Sequence, residues 1–342
     1  MILDTKSYTK TMENAFNLEN AIKATKIYFN ESLHKYTDEF DNPYTSTTII
    51  IDKYMVKFDA KTMSVACEKI GRNPKHPKYL KYKGKKAWQI EQDWLLTGKI
   101  ACDNGNTKHS FLELGVKGSN GYNDYLKDVP EFINGTKGIK LLTINDVINN
   151  HSFGRISLDK LALTGIKERY PKIYKAIEHF TLQGYYIYSE LGVYDCERLV
   201  SGCIDLILIN FDTKEFIIID WKTNRQDIRF DSGYFEKDIH GKDTTNWIAT
   251  NQICKPPLAT LASSTGNKYT LQLSTYAYLV ELRGFTCKNI ILYQIRESEL
   301  ENDLEVVNGI IIKYFKGHVE MMINDHYNVS KKSHKLQMNL FL

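Results

Sequence analysis

The sequence predicts an α/β protein in which a mixed central sheet is flanked by helices. Apolar runs of strand length cover about 184–195, 199–210 and 215–223, with a later run at Asn289–Ile295. Apolar spacing typical of helices covers Ile156–Gln183 and Tyr269–Arg283. Because the central strands are apolar on both faces, we expect helices to cover both sides of the sheet.

Residues 1–104 are predicted to form an N-terminal helical and β-hairpin region. Helical patterning is strongest from Ala15 to Lys26, and it returns over 51–72 and Ala87–Ala101. Residues 27–50 are typical of a β-hairpin or small sheet, with turn chemistry at Asp41-Asn42-Pro43.

Residues 105–325 are predicted to form the core domain, followed by a basic C-terminal tail over 326–342, in which 329–342 are expected to be mobile. Two insertions are expected in the core, at about 114–155 and 224–268. The first is rich in Gly and Asn and is expected to be flexible. The second is a long connection, and such connections are often functional, so it is a candidate lid or gate. A closing helix is predicted over Val307–Ile323.

Two aspartates are predicted to face each other across the hairpin made by the second and third core strands. The apolar runs on either side of a short polar turn pair Asn210 with Glu215. The same register places Asp205 directly opposite Asp220, with Cβ atoms about 4.5–5.5 Å apart. Opposed carboxylates repel each other unless a cation lies between them, and a hard divalent ion would resolve the conflict.

Lys222 follows Asp220 by two residues, so strand alternation points both side chains to one face and Trp221 to the other. A metal beside an ammonium group is what phosphodiester hydrolysis requires, because the metal polarises the phosphate and lowers the pKa of water. An Asp-X-Lys tripeptide alone is more often a solvated strand end. The second aspartate in register favours the metal site.

Two pairs of polar residues at helical spacing accompany the hairpin. Gln272 and Tyr276 are four residues apart and therefore lie on one helical face, and His109 and Glu113 have the same spacing. The simpler interpretations are a solvated glutamine, a core aromatic residue, a structural histidine and a surface glutamate. Because these four residues accompany the aspartate pair, we favour roles in the site over the simpler interpretations. Glu113 either fixes the tautomer of His109 or remains a surface residue.

Four short motifs occur in a recognisable order along the chain. They are Gly105-x-x-x-His109-x-x-x-Glu113, Gly202-x-x-Asp205, Asp220-Trp221-Lys222 and Gln272-x-x-x-Tyr276. Together they resemble the PD-(D/E)XK nucleases, specifically the RecB-like exonuclease branch. Asp220-Trp221-Lys222-Thr223 is also similar to mitochondrial and phage-encoded single-domain members. The N-terminal block, with His34-x-Tyr36 and the polar run 45–48, is more loosely similar to phage-encoded members.

The resemblance covers roughly residues 105–285 and implies a restriction-endonuclease-like fold, with residues 1–104 as one wall of a DNA channel. It implies that His109, Asp205 and Asp220 hold Mg²⁺ or Mn²⁺, and that the backbone carbonyl of Trp221 completes the coordination. Asp220 occupies a position where many members have Glu. Some members carry an iron–sulfur cluster, but only Cys287 lies beyond the Gln-x-x-x-Tyr motif, so no cluster is expected.

The resemblance also implies roles for the remaining matched residues. Lys222 would be the catalytic lysine, acting on the attacking water or the transition state. Gln272 and Tyr276 would support the site and contact the DNA backbone. Glu190, on the first core strand, would join the catalytic carboxylates.

A lysine-rich segment of the N-terminal region is a candidate DNA contact. Residues 73–86 contain six lysines and no acidic residue, with two interleaved tyrosines. Positive charge attracts phosphates, and aromatic faces stack on unpaired bases. The residues expected to make contact are Lys78, Tyr79, Lys81, Tyr82, Lys83, Lys85 and Lys86. The alternative is a solvated basic loop.

Composition limits the ligands, cofactors and cellular location to be expected. The net charge of +4 argues only weakly for nucleic acid, and the six cysteines lack zinc-site spacing. The chain has no P-loop, so no nucleotide cofactor is expected, and a helicase would be a separate protein. No run reaches the roughly 18 apolar residues of a membrane helix, and the N-terminus lacks a signal-peptide pattern. The expected location is the cytoplasm, that of the host if the protein is phage-encoded, with no membrane partner.

The expected function is metal-dependent hydrolysis of linear DNA from its ends, in phage-type recombination, repair or replication. The expected partners are DNA ends, single- or double-stranded, with a helicase, a single-strand-binding protein or an annealing protein as further candidates. Two alternatives stay open. An endonuclease, general or structure-specific, would use the same site and would also cut covalently closed circles. A non-catalytic DNA-binding module would remain active after Asp220→Ala.

Overall fold

The computed structural model describes residues 24–30, 33–117, 139–162, 165–224, 226–238, 243–296 and 306–339. Side chains within these ranges are described except at 106–111, 113–117, 160, 243, 306 and 332–339. The protein is α/β, and its described residues form a mixed central sheet of nine strands flanked by helices. The coarse fold class predicted from the sequence is confirmed.

Strands from both halves of the chain build the central sheet. Their bounds are β1 Ile27–Asn30, β2 Lys35–Asp38, β3 Pro43–Ser46, β4 Ile139–Lys140, β5 Tyr186–Asp195, β6 Val200–Asn210, β7 Glu215–Lys222, β8 Gly233–Lys237, β9 Asp243–Ala249, β10 Thr286–Arg296 and β11 Val306–Ile311. The sheet order is β11-β10-β7-β6-β3-β2-β1-β4, with β5 also paired to β6. The β3–β6 and β7–β10 pairs are parallel. Strands β8 and β9 form a separate antiparallel hairpin.

The helices cover both faces of the central sheet. Their bounds are α1 Thr47–Tyr54, α2 Ala60–Ile70, α3 Tyr79–Tyr82, α4 Ala87–Lys117, α5 Ile144–Asn149, α6 Leu158–Ala162, α7 Ile166–Arg169, α8 Pro171–Thr181, α9 Thr265–Glu281 and α10 Lys316–Asn339. Ser46 begins α1 and Ser264 begins α9, because each side-chain oxygen accepts a backbone N–H of the first helical turn. Within the described part of the chain, no helix has the length and apolar character needed to cross a membrane.

Strand alternation divides the core into two apolar clusters, one on each face of β6 and β7. Leu206, Leu208, Ile217 and Ile219 pack on one face with residues of α8, whereas Ile207, Ile209, Phe216 and Ile218 pack on the other with residues of α1, α9 and α10. All eight side chains are fully buried. Full burial of such a side chain contributes about 1.5–3 kcal/mol to stability, which explains why this hairpin forms the centre of the fold.

One edge of β6 is shared by two different strands. Near its start, Val200 and Ser201 pair with β3, and from Leu206 onward the strand pairs with β7. The opposite edge of β6 is occupied by β5 over the same length. Between the two partners, the register leaves residues 202–205 at an opening in the sheet. The aspartate of the Gly202-x-x-Asp205 motif lies at this opening.

Three sequence predictions about helices and the C-terminal tail need correction. The helix predicted over Val307–Ile323 begins only at Lys316, because the apolar run Val306–Ile311 is a strand paired with β10. In a short apolar run, the spacing of apolar residues is the same for a buried strand and a buried helix, so periodicity cannot tell the two apart. The expected C-terminal tail continues helix α10 as far as Asn339. The helix predicted over 51–72 is two helices, α1 and α2, separated at 55–59.

The insertion predicted over 114–155 is ordered in its second half. Residues 118–138 lie outside the described residues, but β4 pairs with β1, and Leu142, Ile144 and Val147 are fully buried in the core. The predicted flexibility is therefore wrong for 139–155, where these apolar residues make the segment part of the fold. Helix α4 also runs continuously across the predicted domain boundary between residues 104 and 105.

The predicted connection over 224–268 contains the β8–β9 hairpin. This connection therefore contains regular secondary structure.

Candidate active site

The two aspartates of the hairpin lie directly beyond the last pair of the β6–β7 ladder. The β6–β7 register pairs Asn210 with Glu215 and extends to Leu206 opposite Ile219, so the next residues along the two strands are Asp205 and Asp220. The backbone N–H of Trp221 donates to Oδ2 of Asp205 over 3.5 Å. The Asp205 carboxylate therefore reaches across the opening to β7. Both aspartates are buried, at 9% and 1% exposure.

Lys222 shares its face of β7 with Asp220, as strand alternation predicts. Its Nζ lies 3.1 Å from Oδ1 and 2.9 Å from Oδ2 of Asp220. Burial alone lowers the pKa of the Lys222 ammonium, but the carboxylates of Asp220 and Asp205 outweigh this effect and raise the pKa above its ordinary value. The ammonium is therefore held charged between two acidic groups.

Trp221 points to the opposite face. Its side chain is 1% exposed and packs in the cluster that contains Leu206 and Ile219. In the sheet, Trp221 lies in register with Tyr293 of β10. The predicted role of the Trp221 carbonyl as a metal ligand stays a prediction.

Gly202 and the Gln272–Tyr276 pair meet at the opening in the sheet. A Cβ atom at position 202 would lie 2.3 Å from Cε1 of Tyr276 and 3.2 Å from Oγ1 of Thr47. Gln272 Nε2 donates to the Tyr276 hydroxyl over 2.9 Å. Glycine is thus required because the tyrosine ring packs against the strand backbone. The two motifs, 70 positions apart in the sequence, form one packed unit.

The Tyr276 hydroxyl is held in its protonated form. Burial raises its pKa well above the ordinary value, and the charges of Asp220 and Asp205 add to the increase. The hydrogen bond from Gln272 acts in the opposite direction. Tyr276 is therefore a core residue, in agreement with the simpler interpretation. It also places a neutral hydroxyl close enough to the two carboxylates to interact with their charges.

Glu190 lies at the level of Asp205 on the neighbouring strand. Pairs on either side of it in β5 and β6 place Glu190 opposite Asp205. Its backbone φ is +51°, a left-handed conformation that is strained for glutamate. Cys203 Sγ donates to Oε2 of Glu190 over 3.4 Å. The sequence located Glu190 on this strand, but it gave no sign of the backbone strain or of the cysteine contact.

The N-terminal hairpin supplies residues that sequence reasoning did not assign to the site. Tyr36 of β2 is buried, and burial together with the neighbouring Cys203 and Glu190 raises its pKa above the ordinary value. Thr47 Oγ1 donates to the carbonyl of Ser201 over 3.1 Å. The sequence predicted a hairpin or small sheet over residues 27–50, and its His34-x-Tyr36 pattern and polar run 45–48 were the available signals, but neither predicted a contact with the site.

Helix α4 passes the end of β7 next to the candidate lysine. A Cβ atom at Gly105 would lie 2.8 Å from Oγ1 of Thr223, and Leu112 is fully buried with Trp221 in one cluster. Position 109 falls between 105 and 112 on the same helical face. The side chains of His109 and Glu113 lie outside the described part of the chain, so their roles stay predictions.

The described donor set for a metal consists of the two opposed aspartates. In the part of the chain with described side chains, no group of three or more His, Cys, Asp and Glu residues is arranged to hold a metal ion. Carboxylate oxygens are nevertheless the ligands that Mg²⁺ and Mn²⁺ prefer. Position 109 is where the sequence predicts the third ligand.

The lysine-rich segment 73–86 is partly neutralised by acidic neighbours. Lys85 Nζ lies 2.6 Å from Oδ2 of Asp93, and Lys86 Nζ lies 3.8 Å from Oε1 of Glu68. Tyr82 is buried in a small cluster with residues of α2 and α4, so its ring is not available for stacking, contrary to the prediction. The contacts expected of Lys78, Tyr79, Lys81 and Lys83 stay predictions.

Comparisons with known proteins add no relative. No protein-family model, no curated protein and no solved structure matches this chain.

Proposed function

We propose that this protein is a metal-dependent deoxyribonuclease of the PD-(D/E)XK type, with a restriction-endonuclease-like fold, acting from the ends of linear DNA. The observation that carries the proposal is the buried arrangement of Asp205, Asp220 and Lys222 at the opening between β3 and β7. Burying two carboxylates and an ammonium costs several kcal/mol of desolvation per ion, and such groups are commonly retained for function.

The donor set fits a divalent metal. Asp205 and Asp220 project from neighbouring strands, and their repulsion is only partly compensated by the single charge of Lys222. A Mg²⁺ or Mn²⁺ ion held by these carboxylates, with His109 as a further ligand, would stabilise negative charge on a phosphate and acidify water.

The remaining residues of the site have roles that follow from their contacts. Asp220 holds the Lys222 ammonium in place, so that this cation can stabilise the negative charge that develops on a phosphate during hydrolysis. The Trp221 amide orients the Asp205 carboxylate. Tyr276, supported by Gln272, forms one wall of the opening as a neutral hydroxyl that can donate to a phosphate oxygen.

The site geometry is equally suited to an endonuclease, and substrate choice separates the two activities. Exonuclease action on DNA ends, in recombination, repair or replication, is the proposal that follows from the RecB-like motif order. A separate helicase or single-strand-binding protein remains a candidate partner.

The test is digestion of end-labelled linear DNA beside a covalently closed circle, with Mg²⁺, Mn²⁺ or EDTA. We expect metal-dependent loss of the linear DNA only. Lys222→Ala should reduce the rate by about 100- to 1,000-fold, the typical effect of removing one electrostatic stabiliser.

The matched control is Lys288→Ala, which removes another lysine–carboxylate pair, 3.0 Å from Glu215 at the opposite end of β7. This variant should cut normally. Cleavage of the circle would reassign the protein as an endonuclease, and DNA binding without cleavage would contradict the enzymatic proposal.

A further inference from the structure

A cleft of about 580 Å³ begins directly after the candidate lysine. Asn224 and Gln226, which follow Lys222 in the chain, line one end of it. The Tyr269 hydroxyl donates to Oδ1 of Asn224 over 2.9 Å, and the Tyr269 ring centroid lies 5.4 Å from Nζ of Lys222. The Tyr269 side chain therefore contacts both a lining residue of the cleft and the candidate lysine.

Two elements outside the central sheet form the walls of the cleft. One wall is the segment between α1 and α2, and the other is the β8–β9 hairpin. Four aromatic residues from these walls line the space: Phe58, Tyr234, Phe235 and Trp247. The first two are 67% and 52% exposed. Single exposed aromatic residues are ordinary, but two of them lining one cleft beside a candidate active site suggest a binding surface.

The hairpin rings are held in fixed positions. The Phe235 and Trp247 rings lie 4.9 Å apart at 70°, and the Arg229 guanidinium lies 5.0 Å from the Trp247 ring. A Cβ atom at Gly233 would lie 2.7 Å from the Trp247 ring, so the indole packs directly on the strand backbone. These contacts tie the Phe235 and Trp247 rings to each other and to Arg229, a further lining residue of the cleft.

The charged groups of the cleft are largely neutralised. Lys268 lies 2.6 Å from Asp52, and Arg229 lies 3.1 Å from Asp231. A third acidic lining residue, Asp227, lies 2.6 Å from Arg296. The cleft therefore offers aromatic surface with little net charge, which suits bases better than phosphates.

We propose that this cleft binds the unpaired bases of a single DNA strand next to the candidate active site. Unpaired bases expose flat faces that stack on aromatic side chains, whereas bases in a duplex already stack on each other. The volume lies within the roughly 300–1,000 Å³ of typical ligand pockets. The inference extends the proposed nuclease function, on which it rests for the identity of the ligand, and it predicts a preference for single-stranded ends.

The test is fluorescence anisotropy with a short labelled oligothymidylate and, separately, a blunt-ended duplex, both in EDTA. Phe58→Ala and Tyr234→Ala should each weaken binding of the single strand by about 5- to 100-fold. The aromatic replacements Phe58→Tyr and Tyr234→Phe should bind as the wild type does. Phe40→Ala, at a 38% exposed aromatic residue that does not line the cleft, is the matched control. Duplex binding should be unchanged in every variant.

Unchanged binding of the single strand by both alanine variants would overturn the inference, and so would an equal loss for strand and duplex. Cleavage by the wild type is measured separately with metal present. If the wild type cleaves DNA but the two alanine variants bind the single strand normally, the cleft proposal is contradicted and the nuclease proposal stands. If the wild type does not cleave DNA but the alanine variants lose strand binding as expected, the nuclease proposal is contradicted and the cleft proposal stands.

Discussion

The ring of Tyr276 packs directly against the backbone of Gly202, so closely that a Cβ atom at position 202 would lie 2.3 Å from Cε1 of the ring. This contact joins helix α9 to β6 at the opening in the sheet. It also brings the Tyr276 hydroxyl close enough to Asp205 and Asp220 for their charges to influence its pKa.

Gly202→Ala should destabilise the protein by about 1–3 kcal/mol, because an added methyl group overpacks a site that has no space for it. Urea unfolding monitored by circular dichroism would measure the change. Gly317→Ala is the matched control, since nothing lies within 4 Å of the Cβ position at this glycine of α10. A loss no larger for Gly202→Ala than for the control would show that the contact is not tight.

Divalent metal should stabilise the wild-type protein through the aspartate pair. A ligand that binds only the folded state contributes about 2.7 kcal/mol at a concentration of 100 Kd. The midpoint of thermal unfolding should therefore rise as Mg²⁺ or Mn²⁺ is added, and EDTA should reverse the effect. Asp220→Asn should abolish the rise, whereas Asp212→Asn, in the exposed turn of the same hairpin, should retain it. An equal rise in both variants would place the metal elsewhere.

Gln294 fixes the chain that follows the candidate lysine. It lies in register with Lys222 on the neighbouring strand, is 2% exposed, and donates from Nε2 to the carbonyls of Asn224 and Gln226 over 3.0 and 2.6 Å. Gln294→Met would leave both carbonyls without this donor, at a cost of about 1–3 kcal/mol. Hydrogen exchange of residues 226–228 should accelerate. Unchanged exchange would show that other contacts hold the segment.

Stability should fall on acidification because of His326 in α10. Burial and, to a smaller extent, the nearby Lys53 ammonium lower the pKa of His326 to about 4, against an opposing effect of Asp325. Between the unfolded value of about 6.5 and the folded value, the unfolded chain binds more protons, so stability decreases as pH falls through this window. Lys53 Nζ lies 3.0 Å from Nδ1 of the ring.

The free energy of unfolding should be about 1–2 kcal/mol lower at pH 5 than at pH 7.5 from this group alone. His326→Asn should remove that share of the difference, whereas His179→Asn, at an exposed histidine of α8, should retain it. Chemical unfolding at the two pH values would measure both. Identical pH dependence in wild type and His326→Asn would contradict the assignment.

Local patterns in the sequence predicted the central hairpin well. The pairing of Asn210 with Glu215 and the division of apolar residues between two faces follow from a short turn and strict alternation, which need no information from distant residues. The same patterns could not identify Val306–Ile311 as a strand, because a short apolar run becomes a strand only when a partner such as β10 is available.

The sequence by itself determined that Asp205, Asp220 and Lys222 meet, since residues on adjacent strands of one hairpin are related by a fixed period of two. Only the tertiary structure decided what surrounds them. Packing between distant segments brings Tyr276 onto Gly202, places Tyr36 and Thr47 at the opening, and allows Glu190 its left-handed backbone. These relationships depend on which elements pack together, and no local period in the sequence encodes that choice.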